Sequence, residues 1–417
     1  MKQPSNLRKA SGLVAAALLA MTWFSPMQQT LRELPDRMTL TQGQICTLTP
    51  GGLTLQGSAL TVTASQDETL AAAGAVDVVS QTVGTTDMLL SLFGIPLKRV
   101  EVEVSPEKRL IPGGQALGVA MRTEGVLIVG VSEVADGVSP ARSCGLQAGD
   151  AILRIGGTDV TTAEQLTALL TRVGASPVTL EFERGGTRMT ATLTPYRDEA
   201  TGAVRLGAWV RDSTAGVGTL SFYDPDTGKY AALGHAITDG DTGAVLSVRE
   251  GKVLRASIVA VQKGKSGAPG ELKGSFLREG EVLGDIRSNS ILGIYGKLDA
   301  PAANPLYPEG LPIGLRDGVH TGKATILSSV DGEGIREYAV EITRVNQQST
   351  PAPKSMVIRV TDERLLSATG GIVQGMSGSP ILQDGRIIGA VTHVFVSDPT
   401  QGYGLYVDWM LQESGAV

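Results

Sequence analysis

Cysteine, histidine and aromatic residues are scarce in this chain, and each scarcity closes off a class of function. Two cysteines in 417 residues, Cys46 and Cys144, do not make a disulfide framework or a four-cysteine zinc site. In an exported protein they could pair, and separate free thiols fit the count at least as well. The three histidines, His235, His320 and His393, show no H-E-x-x-H spacing, so a zinc peptidase is disfavoured and no cofactor is expected. Positive charge is short as well. Lys and Arg number 36 against 42 Asp and Glu, giving a net charge of −6 and a pI near 5.3. No long Lys or Arg run interrupts that balance, which argues against a nucleic-acid partner.

What the chain has in abundance is glycine, 53 residues of it. With few aromatics, that points to many tight turns between short strands and to a mainly β fold. The length suits two or three domains. Lys2, Arg8 and Lys9 precede an apolar run over residues 12–24. The run is short for a spanning helix, which needs about 20 apolar residues, and reads as a signal peptide or an uncleaved membrane anchor over residues 1–26. The rest of the chain is then exported. Residues 27–104 form a small β-rich region, with alternating strands at 38–41, 53–56 and 97–104.

Residues 105–197 are a sharper unit. "LIPGGQALGVAM" (110–121) is a glycine loop entering a strand, "GVLIVGVSEV" (125–134) a buried strand, and "GLQAGDAILRIGG" (145–157) a turn, strand and Gly-Gly hairpin. Thr161 and Glu164 fit a capping box. Leu166, Leu169, Leu170 and Val173 then fall on one helical face. "PVTLEFERGGTRMTATLTP" (177–195) is a hairpin about Gly185-Gly186. This order resembles a PDZ domain. The resemblance implies that an extended peptide adds as a strand, its terminal carboxylate held by a loop at Gln115, Ala116, Leu117, Gly118 and Val119. The alternative is a PDZ fold used as an internal clamp.

Residues 198–417 are again strand-like and suggest an all-β barrel or pair of barrels. "QKGKSGAPGE" (262–271) contains GKS, but Val259 stands where a phosphate-binding loop needs glycine, so that reading is rejected. The segment "GGIVQGMSGSPIL" (370–382) sets Ser377 between glycines. Gly375 permits a positive φ, and the N–H groups of Gly375 and Ser377 are candidates for an oxyanion hole. Because position 379 is serine, G-x-S-x-G is absent and an esterase or lipase elbow is disfavoured. The pattern resembles the nucleophile turn of chymotrypsin-like proteases, which implies a double β-barrel. His235, at a strand end in "YAALGHAITDGD" (230–241), is the candidate base. His320 and His393 read as structural. Asp362, ending the strand "MVIRVTD" (356–362), is favoured over Asp239 as the acid that orients the imidazole.

The order of these pieces, with "FGIPLKRVEVEV", "LIPGGQALGV", "RDSTAGVGTLSFYDPDTGKYAALGHAITD" and "GGIVQGMSGSPIL", resembles the stage IV sporulation protein B family. The resemblance runs from about residue 90 onward. It implies a secreted, PDZ-containing signalling serine endopeptidase in the space between forespore and mother cell, with His235, Asp362 and Ser377 as its triad. It also implies self-processing and cleavage of a regulator of a membrane-embedded protease, which activates the late mother-cell sigma factor. Gly371 lies six residues before Ser377, where basic-specific enzymes of the chymotrypsin type carry aspartate, so no Lys or Arg preference is implied. Residues 392–396 would line the cleft. The competing reading is a non-catalytic PDZ scaffold.

Overall fold

A computed structural model describes residues 26–66, 68–276 and 281–415. The signal or anchor segment lies, but for its last residue, outside the described residues. Among the described residues, no helix is long and apolar enough to cross a membrane. The chain is mainly β and divides into two compact units.

The first unit comprises residues up to 109 together with 312–322 and 383–388. Strands Arg37–Thr41, Thr54–Gln56, Gly84–Leu92 and Ile95–Ser105 make a four-stranded sheet, in which Arg37–Thr41 runs parallel to Ile95–Ser105. The alternating strands expected at 38–41, 53–56 and 97–104 all lie in it. Their period of two sends Met38, Leu40, Val100, Val102 and Val104 into one core. The two late segments are held by polar contacts: the Thr39 N–H donates to Asp317 (2.6 Å) and Leu315 N–H to Gln44 Oε1 (3.0 Å). Cys46 is buried here, its thiol facing the Asp317 carbonyl at 3.3 Å. Both Cys46 and Cys144 are free thiols.

The second unit carries the PDZ elements and the region read as peptidase. Strand β1 (Ala116–Val131), β2 (Ala151–Ile155), helix α1 (Ala163–Val173), β3 (Val178–Arg184) and β4 (Thr187–Leu193) follow in the expected order. Gly185 and Gly186, both at positive φ, close the β3–β4 hairpin in the two-residue turn that right-handed strand twist favours. The helix cap sits one residue later than the sequence pattern suggests. Thr162, not Thr161, accepts the N–H of Gln165, while Thr161 bonds the Gln165 side chain. Leu166 and Leu170 pack against Val126, Ile128, Ile152 and Phe182. That core continues past residue 197 to take in Val204, Leu206, Ala208 and Val210.

The proposed carboxylate loop is overturned by the pairing of β1. Residues Leu117, Gly118 and Val119 have strands on both sides, β5 (Ala208–Tyr223) on one and β7 (Val248–Arg255) on the other; β6 (Lys229–Ala232) lies between these two in sequence. Ala116 pairs with Thr219, and the Gln115 carbonyl accepts the Leu220 N–H. A strand flanked on both edges has no free donors for a peptide, so Leu117, Gly118 and Val119 are interior structure, and Gln115 and Ala116 are engaged by β5 at the end of the same ladder.

Long strands explain why the PDZ and peptidase parts share a sheet. β1 and β5, each 16 residues, run in one antiparallel ladder from Ala208↔Val131 to Thr219↔Ala116. The sheet order is β4-β3-β2-β1-β5-β6, followed by Gly293–Lys297 and Ser288–Ser290. Beyond it, β8 (Gly322–Ser328), β9 (Arg336–Val345), β10 (Met356–Val360), β11 (Pro380–Gln383), β12 (Arg386–Phe395) and β13 (Asp398–Tyr406) close a barrel in the order β8-β9-β10-β13-β12-β11. Helix α2 (Glu363–Thr369) links β10 to the turn that carries Ser377.

Candidate active site

Helix α2 ends at Gly370 in the left-handed conformation, and the chain winds through Gly371 (φ +133°), Gly375 (φ +94°) and Gly378 (φ +97°) before entering β11. Backbone of this kind is open to glycine and strained for other residues. Thr219 on β5 fixes the turn from one side. Its hydroxyl donates to the Gly375 carbonyl (2.7 Å) and its N–H to the Ser377 carbonyl (3.0 Å). β12 fixes it from the other, where Gly378 N–H donates to the Val391 carbonyl (2.7 Å). With these carbonyls held, the N–H groups of Gly375 and Ser377 have no acceptor among the described residues, and both residues line one cavity. The Ser377 hydroxyl donates to the Thr392 carbonyl at 2.7 Å.

His235 lines the same cavity. It follows β6 through a turn at Leu233 and Gly234, both at positive φ (70° and 69°). That conformation is unusual for leucine, and such strain persists only where packing over-determines it. Here it does: a Cβ on Gly378 would meet the Leu233 N at 2.6 Å, and one on Gly234 would meet Thr392 Cγ2 at 3.0 Å. The two turns are thus packed against each other and against β12. His235 Nδ1 lies 2.8 Å from the Ala236 carbonyl. A carbonyl only accepts, so this contact places the proton on Nδ1 and leaves Nε2 as an acceptor. Burial lowers the pKa of His235 below 6.5, the Ala236 contact opposing this only in part.

The carboxylates are elsewhere. Asp362 caps α2: its carboxylate accepts the N–H of Arg364 (2.9 Å) and of Ala339 (3.2 Å) and pairs with the Arg364 guanidinium (2.7 Å). These bonds, that from Arg364 foremost, lower its pKa to about 2. Asp239 accepts from Thr242 and Asp241 and pairs with Arg211. Burial would raise its pKa, but those partners outweigh it and lower the value. Neither residue lines the cavity. The structure therefore brings His235 and Ser377 to one cavity and leaves Asp362 outside it.

A histidine read as structural stands there instead. The His393 ring is 5.0 Å from that of His235, tilted by 41°. Burial, then the neighbouring His235 and Lys354, pushes its pKa down to about 4. No local motif marks it; the pairing arises only when β12 meets the turn after β6. His320, in the first unit, bonds Asp384 at 2.9 Å and does not line the cavity.

The cavity is about 790 Å³, and no Asp, Glu, Lys or Arg lines it. Its walls include Val217, Ile237, Ile372, Val373, Val394 and Val396. Gly371 has no room for a side chain, since a Cβ would meet the Pro399 carbonyl at 2.2 Å. An acidic residue at this position is sterically excluded, and nothing in the cavity offers charge to a Lys or Arg side chain.

Residues 202–411 match the family model described as SpoIVB peptidase S55, and residues 130–184 match that of a PDZ domain. No curated protein matches the chain. Among solved structures, the PDZ domain of the SdrC-like protein from Listeria monocytogenes is 20% identical, with 21% of this chain and 87% of that one covered and a TM-score of 0.18. The Rv3671c protease from M. tuberculosis, in its active form, is 16% identical over 49% of this chain and 74% of its own, with a TM-score of 0.27. The HtrA-type protease AlgW with decapeptide is 14% identical over 52% and 57%, with a TM-score of 0.29.

Proposed function

The chain belongs to the SpoIVB peptidase S55 family and is a serine peptidase; from that premise we propose that it is an endopeptidase working through an acyl-enzyme at Ser377, with His235 as general base. Ser377 Oγ passes its proton to His235 Nε2 and bonds the substrate carbonyl carbon. The N–H groups of Gly375 and Ser377 hold the resulting oxyanion, and His235 returns the proton to the leaving amine. Water, deprotonated by the same histidine, then frees the acid. Before attack, the Ser377 hydroxyl must leave the Thr392 carbonyl and turn to His235. The observation that carries this reading is the meeting of Ser377, His235 and two unused N–H groups in one cavity.

The Ala236 carbonyl sets the imidazole tautomer in this reading, a task often given to a carboxylate. Asp362 becomes a third member only by leaving Arg364. The biological setting follows the family: export to the space between forespore and mother cell, tethering or secretion by residues 1–26, self-cleavage, and cleavage of the regulator of a membrane-embedded protease. Mass spectrometry of the purified chain beside Ser377→Ala tests the core of it. Self-cleavage products are expected from the parent chain and absent from the variant. Equal processing of both, or failure of Ser377 to label with an active-serine probe, would leave the scaffold reading in its place.

A further inference from the structure

Two of the three histidines meet in the catalytic cavity, and only His235 has a part in the reaction. His235 arrives on the turn after β6 and His393 on β12, and their ring centres stand 5.0 Å apart. A tetrahedral zinc ion holds two imidazole nitrogens at about 2.0–2.1 Å, and with each ring centre about 1.2 Å further out the two centres stand about 5 Å apart. Simple ring packing spans the same distance. What separates the two cases is the state of the ring nitrogens.

Those nitrogens are disposed for a metal. The Nδ1 proton of His235 goes to the Ala236 carbonyl (2.8 Å), which leaves the Nε2 lone pair unshared. Metal-ligating histidines are held in this manner, one ring N–H on a carbonyl and the other nitrogen on the ion. Neither ring nitrogen of His393 has a hydrogen-bond partner among the described residues. Imidazole nitrogen suits zinc well. Lys354, whose charge acts on His393, keeps its ammonium over the Tyr403 ring (4.8 Å) and does not line the cavity. No Asp or Glu lines it either, and among the described residues no three metal-ligating side chains gather. Two protein ligands leave the other positions to water, which makes the ion exchangeable rather than resident.

We propose that His235 and His393 bind a zinc ion through one ring nitrogen each, and that this ion reversibly inhibits the peptidase. Bound zinc takes the Nε2 lone pair of His235, and that lone pair can then no longer accept the Ser377 proton. The enzyme is silent until the zinc leaves. The ion is an inhibitor and not a cofactor, because catalysis needs His235 free of it. His393, which takes no step in the reaction, is the residue that makes activity depend on metal concentration. The inhibition rests on His235 being the general base, whereas the site itself rests only on the two rings.

With only three histidines in the chain, the test can watch each ring separately. In the full chain carrying isotope-labelled histidine, titration with zinc chloride is expected to move the ring signals of His235 and His393 and to leave that of His320 in place, with EDTA reversing the change. Signals that stay still, or a shift of His320 alone, would overturn the site. Labelling of Ser377 by an active-serine probe should slow by on the order of 100-fold at saturating zinc, the usual loss when a general base is removed. His393→Gln should raise the half-inhibiting zinc concentration by about tenfold or more, each protein being compared with its own metal-free rate. Equal zinc sensitivity of the two proteins would overturn the part given to His393. The two ideas fail separately. Ring signals that move while labelling keeps its speed overturn the inhibition and, with it, His235 as the base. Brisk labelling with no response to zinc in either measurement removes the metal site alone.

Discussion

His235 shows how one side chain's surroundings set a measurable property. Burial holds its pKa below 6.5, so the imidazole remains neutral, and able to take a proton, into mildly acidic solution. The acid limb of kcat/KM for a peptide substrate is therefore expected below pH 6.5. A limb above that value would mean that an anionic partner reaches the ring during turnover. The same shift affects stability. Because the unfolded chain binds this proton first, the contribution is full above pH 6.5 and is lost as pH falls from there through the folded value. His393 acts in the same sense, down to about pH 4. Asp362 gives a second residue-scale prediction. Asparagine caps a helix about as well as aspartate, so Asp362→Asn should keep α2. A residue engaged only with Arg364 and Ala339 should then cost less than tenfold in kcat. An orienting acid would cost on the order of 10⁴. Single-turnover rates decide between them.

At the scale of elements, the nucleophile turn and the histidine turn work as one packed piece. Gly378 touches the Thr219 carbonyl and Leu233 N so closely that a Cβ would stand 2.1 Å and 2.6 Å from them. Gly378→Ala should therefore push the two turns apart while leaving the sheets formed. Displacements near 1 Å cost about 100-fold in rate, so kcat should fall by about that much with far-ultraviolet circular dichroism unchanged. A fully active variant would show that the turns need not touch. Much of this piece was legible in the sequence, because the glycines, Ser377 and the strand-end His235 carry their chemistry locally. Asp362 was misleading for a local reason too: a strand-end aspartate before a helix is also what an N-cap looks like. His393 and the double-sided pairing of β1 depend on which strand lies beside which, and no window of sequence contains that.

The whole molecule poses the same problem over longer distances. The sequence suggests a small β-rich region ending near residue 104, yet the first unit also claims residues 312–322 and 383–388. Arg386 shows why such a union is hard to foresee and how it is maintained. Its buried guanidinium donates to Thr41 Oγ1 (3.1 Å), to the Ile313 carbonyl (3.0 Å) and to the Gln42 carbonyl (3.1 Å), partners drawn from two separate stretches of chain. Burial lowers its pKa, which marks the cost of holding the charge there. With the three bonds in place that cost is offset; without them, the Gln42 carbonyl loses its donor and the Ile313 carbonyl keeps only the Thr41 hydroxyl (3.0 Å). Arg386→Met keeps much of the apolar stem and removes the donors together with the charge. It is expected to destabilise the protein by about 2 kcal/mol, the usual penalty for stranding buried polar groups, read as a lower denaturant midpoint at unchanged slope. Labelling of Ser377 by the active-serine probe should stay intact under native conditions, because Arg386 touches neither the cavity nor its turns. An unchanged midpoint would mean that the late segments hold to the first unit without this arginine.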